Sequence, residues 1–185
     1  TFSSRGLGDV YKRQELLCSL GQNVMITNFQ EYFKLVEYFS EFTKARMGLA
    51  MGVYNLIQIF DEKYYRQLSG GILEAFGKLF YRDLKVYMYP YKDEEKKEFI
   101  TSENLKVHPR MKELYKFFKN NGQLIDISDF DQEIFHIFSR KVLKMISEGE
   151  EGWQEMLPEG VAETIVKKRL FGYSKTRKKN KNLSK

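Results

Sequence analysis

The sequence predicts an α/β fold: a doubly wound, mostly parallel sheet of about four strands with flanking helices and a helical C-terminal part. Four short apolar runs occur along the chain, and each is followed by a segment with helical periodicity. Strands that alternate with helices form parallel sheets with right-handed crossovers. Hydrophobic residues make up 42% of the 185 residues, which is enough to build a buried core.

The first predicted strand spans residues 24–27, with the sequence VMIT, and a helix follows it. Asn28 is the expected N-cap of this helix, because Glu31 lies three residues later, as in a capping box. The apolar side chains that then recur with the spacing of one helix face are Tyr32, Leu35, Val36 and Phe39.

The second predicted strand spans residues 47–51, and its lack of charge is typical of a strand that is covered on both faces. Gly52 ends this strand, and residues 53–60 are predicted to form a short helix. Two glycines at 70–71 interrupt the pattern before a further helix over 72–80.

The third predicted strand spans residues 85–89 and ends at Pro90, which cannot donate a hydrogen bond to a neighbouring strand. Residues 91–104 are charged and lack periodicity, which predicts an exposed loop or a small hairpin. A helix over 111–119 follows, and Pro109 is expected to open it.

The fourth predicted strand spans residues 124–127. A long helix follows it, capped by either Asp129 or Asp131 and ended by Gly149. The last predicted helix spans residues 159–170.

The two ends of the chain are predicted to lie outside the α/β domain, which spans residues 15–173. Residues 1–14 resemble a translated sequencing-adapter artefact and show no helical or alternating pattern, so they are interpreted as non-native and disordered. Because the chain begins with Thr, we expect the native protein to continue N-terminally and that missing portion to be a partner of the domain. Residues 174–185 are predicted to form a disordered basic tail.

Most of the net positive charge lies in this tail. The chain has 31 Lys and Arg residues against 25 Asp and Glu residues, a net charge of +6. Six of the basic residues lie in 174–185, so the rest of the chain is balanced at 25 of each sign. A dedicated nucleic-acid-binding domain carries a basic face, and no specific nucleic-acid partner is therefore expected.

The single cysteine, Cys18, excludes a disulfide scaffold and a multi-cysteine metal site. It agrees with a reducing compartment, and the first residues lack a signal-peptide pattern, so the expected location is the cytoplasm. No uncharged apolar run is long enough to span a membrane, and no membrane partner is expected.

Ligands of doubly wound sheets bind at the carboxyl ends of the strands, near a switch point. Asn55 is expected either to hydrogen-bond a base or ribose or to cap a helix, and Tyr89 either to stack on a purine or to belong to an aromatic ladder. The predicted strand-end residues are 27–28, 52–55, 89–91 and 126–129, and the candidates among them for binding a nucleotide are Asn28, Gly52, Tyr54, Asn55 and Tyr89.

Three further features are candidates for binding phosphate or metal. Ser69, Gly70 and Gly71 precede a helix, and their amides are expected either to bind a phosphate or to form a plain turn. Arg140 is expected to pair either with a phosphate or with neighbouring acids. Asp129 is a candidate ligand for Mg²⁺, which prefers carboxylate oxygens.

Several stretches, taken in order, resemble one family of long cytosolic proteins; they include MGLAMGVYNLIQIFDEKYY, LSGGILEAFGKLF, LKVYMYP and KKRLFGY. The similarity spans residues 17–173 and is to the C-terminal part of proteins commonly labelled nicotinate- or nicotinamide-nucleotide adenylyltransferase. Some relatives carry the label TonB-dependent receptor, which this composition contradicts. The resemblance implies a Rossmann-like domain of NAD biosynthesis, with ATP or an NAD-related nucleotide as ligand and Mg²⁺ as the assisting ion.

The adenylyltransferase chemistry implied by this resemblance uses an HxGH histidine pair, which this chain lacks, so no catalytic residue is assigned. Two functions follow as alternatives. One is a nucleotidyltransferase that acts on nicotinate or nicotinamide mononucleotide. The other is a non-catalytic nucleotide-sensing or assembly domain of a larger protein.

Overall fold

A computed structural model describes residues 7–93 and 95–174 of the chain. Predictions for residues 1–6 and 175–185, which include nearly all of the basic tail, lie outside these ranges. Within the described ranges, no helix combines the length and the apolar composition needed to cross a bilayer.

The chain divides into two compact units. Residues 28–130 form the first, here called the sheet unit because it contains the strands of the described chain. The described residues 7–27 and 131–174 belong to the second, here called the helical unit. The α/β domain predicted over residues 15–173 therefore includes most of both units.

Helices and strands alternate in the described residues, which confirms the predicted mixed α/β composition. The α-helices are α1 (Leu7–Ser19), α2 (Tyr32–Phe42), α3 (Val53–Ile59), α4 (Gly71–Leu79), α5 (Lys112–Asn120), α6 (Ser139–Glu148) and α7 (Val161–Lys168). The strands are β1 (Gly48–Gly52), β2 (Lys85–Tyr89), β3 (Tyr91–Asp93), β4 (Glu98–Ile100) and β5 (Leu124–Asp126).

Three strands form a parallel sheet in the order β1-β2-β5, while β3 and β4 form a separate antiparallel hairpin. In the sheet, Gly52 lies opposite Tyr89, and Met88 lies opposite Asp126. These three strands confirm three of the four predicted strands to within one residue at each end. The hairpin is one of the two alternatives that the sequence predicts for residues 91–104.

Residues 24–27 do not form the strand that the sequence predicts. They lie in irregular structure, where Met25 is 50% exposed and Ile26 is 43% exposed. A short apolar run forms a strand only when it finds a partner for its backbone, and tertiary context overrides its intrinsic preference. Asn28 is also exposed, and the residue at the N-cap position of α2 is Glu31 rather than Asn28.

The sheet has three strands and is covered by helices on one face, which differs from the predicted doubly wound arrangement. The strand order proceeds in one direction, and successive right-handed crossovers in one direction place their helices on the same side of a sheet. Val86 and Met88 are buried on that side in one cluster with residues from α2, α3, α4 and α5. On the opposite face Ala50 and Tyr87 are exposed, so β1 is not covered on both faces as predicted.

The core of the sheet unit is centred on the Phe76 side chain of α4, which is 2% exposed. Its ring lies 5.0 Å from Phe60 and 5.1 Å from Phe118 between centroids, both nearly edge-to-face. Phe118 also stacks on Phe80 at 4.2 Å. These aromatic contacts join α4 and α5 beneath the sheet and fix the layer that supports the strands.

The helical unit has a separate core around Trp153, which is 1% exposed. The long helix predicted before Gly149 is interrupted: a short 3-10 turn over Gln132–His136 is capped by Asp131, and α6 begins only at Ser139. The Asp131 carboxylate accepts a hydrogen bond from the Glu133 amide at 2.8 Å. Asp131, one of the two predicted caps, therefore caps the 3-10 turn rather than α6.

Residues 7–14 belong to a helix in the structure, whereas the sequence predicts that residues 1–14 lie outside the fold. The helix α1 packs on the core of the helical unit through Leu16, which is buried. The guanidinium of Arg13 lies 5.7 Å from the centre of the Phe171 ring, and Glu15 pairs with Lys168. These tertiary contacts stabilise a segment whose own pattern is not helical.

Candidate functional site

The carboxyl ends of the three parallel strands lie at one edge of the sheet, and ligands of open α/β sheets bind at this edge. Gly52, Tyr89 and Asp126 end the three strands, and the register places the first two directly opposite each other. The order of the strands contains no reversal, so the described sheet has no switch point. This carboxyl edge is the candidate functional site.

Two tyrosines meet at this edge. Tyr54 lies in the first turn of α3 and is 63% exposed, and its ring centroid lies 5.3 Å from that of Tyr91 at the start of β3. Gly52 precedes α3, and a Cβ added there would meet no atom within 4 Å. Asn55 is exposed beside Tyr54 inside α3; the residue at the N-cap position is Gly52, so Asn55 is not the cap.

The predicted strand-end residues are thus brought together in part. Four of them lie at the carboxyl edge: Gly52, Tyr54, Asn55 and Tyr89. The fifth, Asn28, lies in the irregular segment before α2. Tyr91 follows β2 after Pro90, and its ring contact with Tyr54 joins the start of β3 to α3.

A polar cluster that the sequence does not predict fixes the loop above β5. The two carboxylate oxygens of Asp126 accept hydrogen bonds from the Ser102 amide at 2.8 Å and from the Ser102 hydroxyl at 2.6 Å. The Tyr115 hydroxyl donates to the Ser102 carbonyl at 2.8 Å. Ser102 is only 4% exposed, and a buried serine in a polar loop has no sequence signal that would reveal it.

These contacts give Asp126 and Tyr115 structural roles. Burial raises the pKa of the Tyr115 hydroxyl, and the negative charges of Asp126 and Glu103 raise it further. The hydroxyl therefore stays protonated and keeps donating its hydrogen bond over the whole physiological range. Both oxygens of Asp126 already accept bonds from Ser102, so this carboxylate anchors the loop that follows the hairpin.

The donors predicted to bind phosphate at 69–71 form hydrogen bonds within the chain. The Gly70 amide donates to Oε2 of Glu74 at 3.0 Å, and the Ser69 hydroxyl donates to the same oxygen at 3.4 Å. The Gly71 amide donates to the Leu68 carbonyl at 3.0 Å. A carboxylate thus occupies the position expected for phosphate, and the geometry is that of the alternative prediction, a plain turn at the start of α4.

The bond from Gly70 is the main reason that the pKa of Glu74 lies below its ordinary value, and Lys78 lowers it further. Lys78 lies 3.3 Å from the Glu74 carboxylate on the next turn of α4. Glu74 is therefore ionised at neutral pH and remains an acceptor for the glycine turn.

The two remaining candidates are Arg140 and Asp129. Arg140 is exposed on α6 and belongs to the helical unit. Asp129 is exposed in the irregular segment after β5. Among residues 7–93 and 95–174 no three His, Cys, Asp or Glu side chains lie close enough together to hold a metal ion.

The carboxyl edge can therefore offer an exposed aromatic ring, a backbone without a side chain at Gly52 and a rigid polar loop at Ser102. An arrangement of this kind suits a planar ring that stacks on one tyrosine while backbone groups bind its polar edge.

Comparison of the chain with protein-family models, with curated proteins and with solved structures finds no match.

Proposed function

We propose that the sheet unit is a nucleotide-binding domain and that the base of the nucleotide stacks on Tyr54 at the carboxyl edge of the sheet. The observation that carries the proposal is the exposure of Tyr54 beside Gly52, with Tyr91 holding its ring edge-to-face at 5.3 Å. A tyrosine ring that is fixed on one side and exposed on the other presents a stacking surface at little entropic cost.

The ligand is a nucleotide bound through its base rather than through its phosphates. The glycine turn at 70–71 is engaged by Glu74, whose negative charge repels a phosphate at that position. Stacking of the base on Tyr54 requires neither the Gly70 amide nor the Gly71 amide. The family resemblance supports ATP, NAD or nicotinate mononucleotide as the nucleotide, with Mg²⁺ bound through the nucleotide phosphates.

Two versions of this function differ in whether the bound nucleotide reacts. In the first, which the family resemblance supports, the domain contributes the nucleotide site of a transferase that joins an adenylate to nicotinate or nicotinamide mononucleotide. In the second, the domain senses a nucleotide without turnover, and the exposed sheet face around Ala50 and Tyr87 favours a role in assembly. Release of pyrophosphate from ATP and nicotinate mononucleotide distinguishes the two.

The proposal is tested by thermal unfolding of the full chain with ATP, NAD and nicotinate mononucleotide added singly, each with and without Mg²⁺. A ligand present at about 100 times its Kd adds roughly 2.7 kcal/mol to the stability of the folded state, which raises the melting temperature by a few degrees. In the Tyr54→Ala variant we expect the affinity to fall by about 5- to 150-fold, because base–aromatic stacking contributes about 1–3 kcal/mol.

Tyr64→Ala is the matched control, because Tyr64 is also an exposed tyrosine of the sheet unit but lies in the turn after α3. It is expected to bind each nucleotide as the unmodified chain does. An equal loss of affinity in both variants would show that Tyr54 is not the stacking surface. Absence of any shift with all three nucleotides would contradict nucleotide binding by this chain.

A further inference from the structure

A shallow pocket of about 250 Å³ lies at the amino edge of the sheet, on the face that the helices leave open. The strands of five residues are about 16 Å long, so this pocket lies at the opposite end of the sheet from Tyr54. The side chains that line it include Arg46, Met47, Asp83, Lys85, Tyr87 and Ile125.

The charged side chains of the pocket are two cations, Arg46 and Lys85, and one carboxylate, Asp83. Lys85 and Asp83 pair with each other, with 2.8 Å between Nζ and Oδ1. Arg46 is exposed. The hydrogen bond from Lys85 and the positive charges of Lys85 and Arg46 hold the pKa of Asp83 below its ordinary value. Asp83 bonds directly to Lys85, so the pocket keeps an excess of one positive charge. The exposed guanidinium favours an anion with two oxygens, since carboxylate and phosphate both match its paired donors.

The apolar part of the pocket suits an aromatic ring. Tyr87 is 39% exposed, and its ring lies against Gly48 of the neighbouring strand. A Cβ at Gly48 would stand 2.9 Å from Cε2 of Tyr87, so only a glycine allows the ring to lie in this position. Met47 and Ile125 supply the other apolar surfaces.

The rim of the pocket is fixed before any ligand binds. Arg82 donates from Nη1 to the Thr43 carbonyl at 3.1 Å, which ties the segment before β1 to the turn before β2. Arg82 and Asp83 adopt consecutive left-handed conformations, with φ of 53° and 58°. Non-glycine residues take up this conformation at a cost in free energy that the surrounding contacts must offset, and such positions cluster at ligand sites.

We propose that this pocket binds a small aromatic anion, with the ring against Tyr87 and the carboxylate or phosphate group on Arg46. Its volume is below the range of about 300–1,000 Å³ that drug-sized ligands occupy, which limits the ligand to one ring and its anionic group. The site shares no residue with the carboxyl edge, so this proposal and nucleotide binding at Tyr54 can fail separately.

The test is an NMR titration of the ¹⁵N-labelled full chain with benzoate and with phenyl phosphate. Acetate and inorganic phosphate serve as the corresponding anions without a ring. We expect the aromatic anions to shift the amide signals of Gly48 and Lys85 and to bind about tenfold more tightly than their ringless counterparts, since the ring buries apolar surface against Tyr87. Whichever of the two aromatic probes binds more tightly identifies the anionic group.

Arg46→Gln is expected to weaken both aromatic probes by about tenfold or more, the usual effect of removing a charge-assisted hydrogen bond. Lys44→Gln is the matched control, because it removes the same charge from an exposed residue nearby that does not line the pocket. Unchanged affinity in Lys44→Gln supports the site. Equal weakening in both variants, equal binding of the ringless anions, or no shift at Gly48 and Lys85 would overturn it.

Discussion

At the scale of single residues, the carboxylate of Glu74 accepts hydrogen bonds from the Gly70 amide and the Ser69 hydroxyl. A sequence pattern of two glycines before a helix is compatible with a bound phosphate and with a bound side chain, because both satisfy the same donors. In this protein the bound group is the side chain of Glu74, which lies in the first turn of α4. Its position in the sequence is compatible with capping, but only the structure shows its side chain folded back onto Gly70.

Stability is expected to depend on pH through Glu74. Its pKa in the folded protein lies below the ordinary value of 4.5, so its stabilising contribution is present above that pH and is lost as the pH falls through the lowered pKa. Glu74→Gln is therefore expected to melt at a lower temperature than the unmodified chain near neutral pH. The difference between the two should shrink as the pH falls below the lowered pKa, because the unmodified side chain is then also uncharged.

The measurement is the melting temperature of both proteins across the acid range. Glu41→Gln is the control, because Glu41 is an exposed acid on α2 with no ion pair to another described residue. The control is expected to follow the unmodified chain at every pH. If the curves of Glu74→Gln and of the unmodified chain stayed parallel down to the lowest pH, the negative charge of Glu74 would not stabilise the fold.

Only part of the candidate site could be predicted from single residues. Gly52, Tyr54 and Tyr89 follow from the strand boundaries, because a residue that ends a parallel strand must lie at its carboxyl edge. The contact of Tyr91 with Tyr54 joins residues 37 positions apart, and the bond from Ser102 to Asp126 joins residues 24 positions apart. Neither contact has a local signal.

At the scale of elements, two glycines with different backbone conformations show how helices are ended and weakened. Gly149 ends α6 in a left-handed conformation, with φ of 72°, as the sequence predicts. Gly77 lies inside α4 with a helical backbone, and a Cβ added there would meet no atom within 4 Å. Substitution by alanine is therefore expected to lower the stability of the fold at Gly149 and to raise it at Gly77.

Gly149→Ala is expected to lower the free energy of unfolding by about 1 kcal/mol, because an alanine pays a steric cost in the left-handed region. Gly77→Ala is expected to raise it by about 0.5–1 kcal/mol, because alanine loses less backbone entropy in a helix. Thermal unfolding followed by circular dichroism measures both, each serving as the control for the other. A loss of stability in Gly77→Ala would contradict the open space at that position.

Elements with strong local signals agree with the sequence, whereas two elements whose limits depend on tertiary contacts do not. The strand over residues 85–89 is bounded by Pro90 and follows a helix, and its limits are as predicted. The run at 24–27 has the same composition as a strand but no backbone partner in the sheet. The helix predicted before Gly149 breaks at Ile137, where an extended backbone follows the 3-10 turn.

At the scale of the whole sheet unit, the strand order determines which face the helices cover. The alternation of strands and helices predicts parallel pairing and right-handed crossovers, and both follow from local chemistry. Whether the order reverses is decided by which strands pair, and that choice is not encoded in the spacing of apolar residues. The uncovered face that results carries Tyr87 and leads to the pocket at Arg46.

Across the whole chain, the excess of positive charge is concentrated in residues 174–185, which predicts weak binding of nucleic acid through this segment. Removing residues 174–185 takes away six basic side chains and brings the net charge from +6 to zero. We expect the full chain to bind single-stranded RNA weakly and without sequence preference at low salt. If all six cations contact phosphates, the slope of log K against log salt is about −4.

Fluorescence anisotropy with a labelled homopolymer, measured over a series of salt concentrations, gives this slope for the full chain and for the chain shortened by residues 174–185. The shortened chain is expected to lose nearly all of its affinity, because basic and acidic residues are balanced in what is left. A chain with the same twelve residues in scrambled order is the control and should bind as before, since counterion release depends on charge rather than on sequence. If the shortened chain kept both its affinity and its slope, the binding cations would have to lie in residues 1–173, where the overall charge balance conceals a local basic surface.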